Sequence, residues 1–255
     1  MNLAKLFNFK YLIQNIKKSK MAIILFLLVV PLFTSLLLIV SSSDSYVPSF
    51  LELGAPNVIF MYVTPFILSF SLFGYAYKKK SIDFIGSMPI SRKSIFITNT
   101  IGGILLIVLM QFITLLCTLI FGAITESLIF SKMVWDIFIY QTIAYIFVFT
   151  VSNLAMSVSG NVVTQIVVTL LILFTISSSI LYLNAWNNFD IKLTDDDYKI
   201  ISNYNINNDI SYTAPSLLFN NGNYTFNAKS LVKMIVLSAV YIVLGYYLFK
   251  NKKME

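Results

Sequence analysis

Histidine is absent from this chain of 255 residues. Its absence removes imidazole general bases, histidine metal ligands and histidine proton relays. One cysteine, Cys117, lies within an apolar run, so no disulfide can form within the chain. Charge is scarce too: Asp, Glu, Lys and Arg make up 11% of residues, against about a quarter in a soluble domain. No Gly-x-x-x-x-Gly-Lys-Ser/Thr loop is present to cradle nucleotide phosphates. These gaps leave little chemistry for a soluble enzyme.

What is present is apolar length. The hydrophobic fraction is 58%, gathered into continuous runs rather than the alternating pattern of barrel strands. A crossing takes about 20 apolar residues. The runs predict spans over 21–41, 58–77, 100–122, 134–156, 162–183 and 231–249. Segment 137–189 carries no charge and is too long for one crossing; the small, polar cluster 157–161 is where it turns. The first run is longer than a signal-peptide core and reads as a retained span. The expectation is an all-α integral membrane protein, with residues 1–255 as a single six-span domain.

Basic residues set the orientation. Lys5, Lys10, Lys17, Lys18 and Lys20 precede the first span; Lys78, Lys79, Lys80, Arg92 and Lys93 follow the second; Lys250, Lys252 and Lys253 follow the last. Placing both termini in the cytoplasm collects most of the 18 basic residues inside, with Asp83 and Glu255 as the acids there. The net charge of +7 then reads as an orientation signal beside a lipid membrane, not as a nucleic-acid surface. Outside lies the asparagine-rich loop 184–229 with Asp195, Asp196 and Asp197. Consecutive carboxylates lack the alternating spacing of a calcium cage, so this run reads as solvated charge.

The N-terminal twenty residues place Leu6, Phe9, Ile13 and Ile16 at helical spacing among lysines. That pattern predicts an interfacial helix suited to the membrane surface or a partner. Away from their ends the predicted spans carry no Asp, Glu, Lys or Arg, which argues against a proton-coupled pathway or intramembrane catalysis. No catalytic, cofactor or metal residue is assigned. Gln111, Gln141, Asn153 and Gln165, with scattered Ser and Thr, are the uncharged polar side chains in the spans; they either line a substrate path or bond helices together. Uphill transport would then draw its energy from another chain.

Loop 78–99 suggests which one. Ser81 caps a short predicted helix ended by Gly86, presenting Ile82, Phe84 and Ile85; Pro89 turns the chain, and Ser91 caps the next helix. The stretch Phe84–Asn99, with Met88-Pro89-Ile90-Ser91-Arg92-Lys93 at its core, resembles the segment after the second span of type-2 ABC exporter permeases. The basic-aromatic start Phe7–Lys20, the ending Phe249–Glu255 and the six-span plan are similar too. The resemblance implies a coupling helix within 78–93, contacting a separate ABC ATPase through Ser81, Ile82, Asp83, Phe84, Ile85, Met88, Pro89, Ser91 and Arg92. It implies two ATPase copies, which carry ATP and Mg, and a second permease chain, identical or a sister. This chain itself would bind no cofactor. The implied cargo is an amphipathic peptide or peptide-like antimicrobial compound, exported across a bacterial plasma membrane. The turn at 157–161 departs from the family in being short and uncharged, which weakens any second coupling contact. The rival expectation is a non-transporting scaffold or sensor that binds an extracellular ligand through loop 184–229.

Overall fold

A computed structural model describes residues 7–18, 20–42, 50–77, 90–124, 132–187 and 228–251. Among them all regular structure is helical: α1 (Phe9–Lys18), α2 (Lys20–Ser42), α3 (Phe50–Phe73) with a 3-10 turn over Gly74–Tyr77, α4 (Arg92–Ile124), α5 (Lys132–Val158), α6 (Val162–Asn187) and α7 (Ala228–Asn251). Among the described residues four stretches are long and apolar enough to cross a membrane: Phe60–Tyr77, Arg92–Ile120, Phe138–Val158 and Leu231–Asn251. Val162–Thr175 of α6 is a shorter apolar stretch. Helices suit such an environment because every backbone donor and acceptor is paired within the segment.

The surface is apolar where a soluble protein would be polar. Helix α6 buries Gln165, Thr169 and Leu173 while Val163, Ile166, Val167, Leu170, Leu171 and Phe174 are exposed. Helix α7 likewise buries Met234, Ser238 and Tyr241 and exposes Val232, Ile235, Val236 and Val240. Polar side chains turned inward and apolar ones outward fit a lipid solvent.

Helix α5 is the hub, packing against α3, α4, α6 and α7, while α2 packs along α4 and α3. Its stretch 151–157 is buried on every side. Ser152, Ala155 and Ser157 keep that segment slim enough for several neighbours to approach. Gly103 of α4 serves the same purpose, because a Cβ there would run into the Phe149 ring of α5. At Gly245 of α7 a Cβ would stand 3.2 Å from Phe96 and 3.6 Å from the Leu154 backbone.

The helices outrun the predicted spans. Helix α3 begins at Phe50 rather than 58, and α4 at Arg92 rather than 100. Hydropathy locates the part of a helix that suits lipid, whereas the hydrogen-bonded helix continues into the polar flank. Asp136 and Lys233 fall in the second turns of α5 and α7, inside the predicted spans 134–156 and 231–249 but within three residues of where those spans start. The predicted coupling residues Ser81, Ile82, Asp83, Phe84, Ile85, Met88 and Pro89 lie outside the described residues, as do most of loop 184–229 and Leu6.

Candidate functional site

The richest set of long-range polar contacts lies at the end of the bundle that bears Arg92. Here α1, the end of α3, the start of α4, the α5–α6 turn and the end of α7 meet. Asn8 opens α1 by accepting the Tyr11 amide on its Oδ1 at 3.1 Å, an N-cap. Its own backbone amide donates to Thr98 Oγ1 of α4 at 3.0 Å. One turn and more along, Asn15 Nδ2 donates to the Leu72 carbonyl at 2.9 Å and to Asn99 Oδ1 at 3.0 Å. Asn99 Nδ2 donates to the same Leu72 carbonyl at 3.1 Å.

Leu72 sits just before α3 tightens into its 3-10 turn. Carbonyls at such a helix end lack regular intrahelical partners, and the two asparagines supply them. Both are buried, so the bonds form where water does not compete. Leu12 completes the seat: a Cβ at Gly102 would collide with its side chain. Tyr11 is buried and Tyr75 half-buried beside the clamp, their buried hydroxyls without an aligned hydrogen-bond partner among the described residues. Burial pushes the Tyr11 hydroxyl above the ordinary phenol range.

The stripe predicted for α1 is not the face that packs. Tyr11, Leu12 and Asn15 are buried against the bundle, whereas Phe9 and Ile13 are exposed. A pattern based on apolar residues passes over Asn15, whose burial depends on partners far along the chain.

A second polar knot joins α3, α5 and α6. Ser69 Oγ donates to Asn153 Oδ1 at 2.8 Å. Gln165 Nε2 reaches Ser69 Oγ at 3.3 Å and Ser152 Oγ at 3.2 Å. The Tyr77 hydroxyl donates to Gln165 Oε1 at 2.9 Å and lies 3.2 Å from Ser159 Oγ. Tyr77 is the last described residue before loop 78–89, and Ser159 belongs to the α5–α6 turn. Asn153 Nδ2 is buried without a partner among the described residues.

Between the clamp and the end of α7 lies an aromatic triangle. Phe73, Phe96 and Phe249 have ring centroids 5.5–6.3 Å apart, within the favourable range for offset and edge contacts. All three are buried.

Of the sequence candidates, Ser91 and Arg92 are described. Ser91 caps α4 by accepting the Ser94 amide on its Oγ at 3.2 Å, and Ser91 and Arg92 are exposed. Asn153 and Gln165 are brought together in the knot, within one chain and across helices. Gln111 is buried on α4 and Gln141 half-buried on α5, outside that knot. Asn15, Asn99, Ser69 and Tyr77 were not singled out from the sequence, which offered no signal pairing them. No known protein-family model matches the chain, and comparison with characterised proteins finds no match.

Proposed function

We propose that this chain is the membrane-spanning permease subunit of an ATP-driven exporter of the type-2 ABC kind. In this reading six helices, α2 to α7, cross a bacterial plasma membrane, with both termini and the Arg92 end in the cytoplasm. Two ATPase subunits dock on loop 78–93 and supply the energy, and two permease chains enclose the path. An amphipathic peptide or peptide-like antimicrobial compound passes between them.

The observation that carries the proposal is the double clamp on either side of loop 78–89. Asn15 ties α1 at once to the end of α3 and to the start of α4, the two helices that bracket the loop. Tyr77, at the loop's entrance, is tied to Gln165 of α6. A push on the loop is therefore delivered to α1, α3, α4 and α6 together rather than absorbed by one helix end. Such a push shifts a two-state equilibrium only if ATP binding favours one state; moving it from 1:99 to 99:1 takes about 5.5 kcal/mol.

Ile82→Asp combined with Phe84→Asp tests the docking. The ATPase subunit is expected to stop co-purifying while the permease still inserts. Unchanged co-purification would remove loop 78–93 as the docking element.

A further inference from the structure

Helix α1 has more than one working face. At roughly 100° per residue, Tyr11, Leu12 and Asn15 share the face buried on the bundle. Phe9, 63% exposed, and Ile13, 38% exposed, occupy the adjoining stripe. Lys10 and Lys17 are exposed on the side turned away from the bundle, and Lys20 is exposed where α2 begins.

The height of α1 follows from α4. Helix α4 has 33 residues, about 50 Å of helix at 1.5 Å per residue, against about 30 Å of hydrocarbon. Its polar residues Arg92, Lys93, Ser94, Thr98, Asn99 and Thr100 gather in the first turns, so the surplus length projects at that end. Helix α1 lies beside this polar stretch, bonded at Thr98 and Asn99 and seated on Gly102. With the hydrocarbon set on the apolar remainder of α4, this places α1 at headgroup level.

We propose that the outer face of α1 binds anionic phospholipid headgroups of the cytoplasmic leaflet. Phe9 and Ile13 enter the acyl boundary, and Lys10, Lys17 and Lys20 meet the phosphates. An apolar stripe bordered by lysines, held at the interface by a rigid neighbour, matches such a surface in both polarity and charge. Because Asn15 bonds to both Leu72 and Asn99, lipid charge acting on α1 also acts on the helices flanking loop 78–89. The proposal rests on the membrane reading and not on the ATPase partner.

The test uses the full-length permease alone. Phe9→Trp supplies a fluorescent reporter in a background of Trp135→Phe and Trp186→Phe. The protein is placed in phosphatidylcholine vesicles carrying a minority of brominated phosphatidylglycerol, or the same fraction of brominated phosphatidylcholine. Quenching is expected to be about fivefold stronger with the anionic lipid, to fall at high salt, and to lose its preference in Lys10→Gln with Lys17→Gln. Equal quenching by the two lipids would overturn the headgroup assignment. Absence of quenching by either would overturn it too, because the face would then be covered by protein. A permease that shows the lipid preference yet binds no ATPase leaves this proposal standing and removes the transport reading instead.

Discussion

A glycine inside a helix costs about 1 kcal/mol relative to alanine, so the pair Gly102-Gly103 in α4 requires a packing reason. Each has one: Leu12 of α1 occupies the space above Gly102, and the Phe149 ring of α5 fills that above Gly103. The sequence displays the pair but not its partners, because close approach is a property of two segments. Gly103→Ala is expected to destabilise the fold by about 1–3 kcal/mol through overpacking, read as a lower unfolding temperature in detergent. Gly160 has no heavy atom within 4 Å of a built Cβ, so Gly160→Ala serves as the control and is expected to leave that temperature nearly unchanged. Gln165 and Tyr77 offer a second residue-scale test. Their bond of 2.9 Å predicts a coupling of about 0.6–1.7 kcal/mol between Tyr77→Phe and Gln165→Leu in a double-mutant cycle. Additive effects would mean that the two side chains do not interact.

At the scale of elements, helix positions were legible and their contacts were not. Ser91 announces α4, and its hydroxyl accepts the Ser94 amide. The break expected at 157–161 falls at 159–161, after α5 ends at Val158, and Asn161 starts α6 by accepting the Thr164 amide on its Oδ1 at 2.8 Å. Local capping chemistry acts over three or four residues, so a single sequence reveals it. The α1 clamp joins Asn15 to Leu72 and Asn99, 57 and 84 residues away, and no spacing rule reaches that far. Helix α5 hid its role for another reason: a segment buried all round has no amphipathic signature. Asn15→Ala is expected to free α1 more than it weakens the bundle. Amide exchange in residues 9–18 should speed up severalfold while the unfolding temperature shifts little. Exchange unchanged in α1 would show that Leu12 and Tyr11 hold it without the asparagine. The clamp is also expected to be insensitive to pH near neutrality. The Tyr11 pKa is raised by burial, so its contribution is complete below the unfolded value of about 10 and is lost only as pH rises beyond it.

For the whole molecule, the inward-polar, outward-apolar arrangement of α6 and α7 gives the membrane reading a basis independent of hydropathy counting. A bundle whose exterior is Val, Ile, Leu and Phe has its lowest free energy in hydrocarbon. Orientation is the remaining variable, and the transport reading depends on it, since ATPase subunits can reach loop 78–93 only from the cytoplasm. The ends of α5 provide the test, because they open on opposite sides if that helix crosses. Gly160 is exposed just beyond its last residue, and Trp135, 51% exposed, lies near its first. In a Cys117→Ser background, Gly160→Cys is expected to react with an impermeant maleimide in inside-out vesicles only. Trp135→Cys should react in right-side-out cells only. Gly160→Cys reacting from outside would place Arg92 and the double clamp on the outer face, beyond the reach of any nucleotide-driven partner. Both positions reacting from one side would mean that α5 does not cross, and the six-span plan would fall with it. The expected split follows from the basic residues gathered around the Arg92 end, since basic flanks of spans favour the cytoplasmic side.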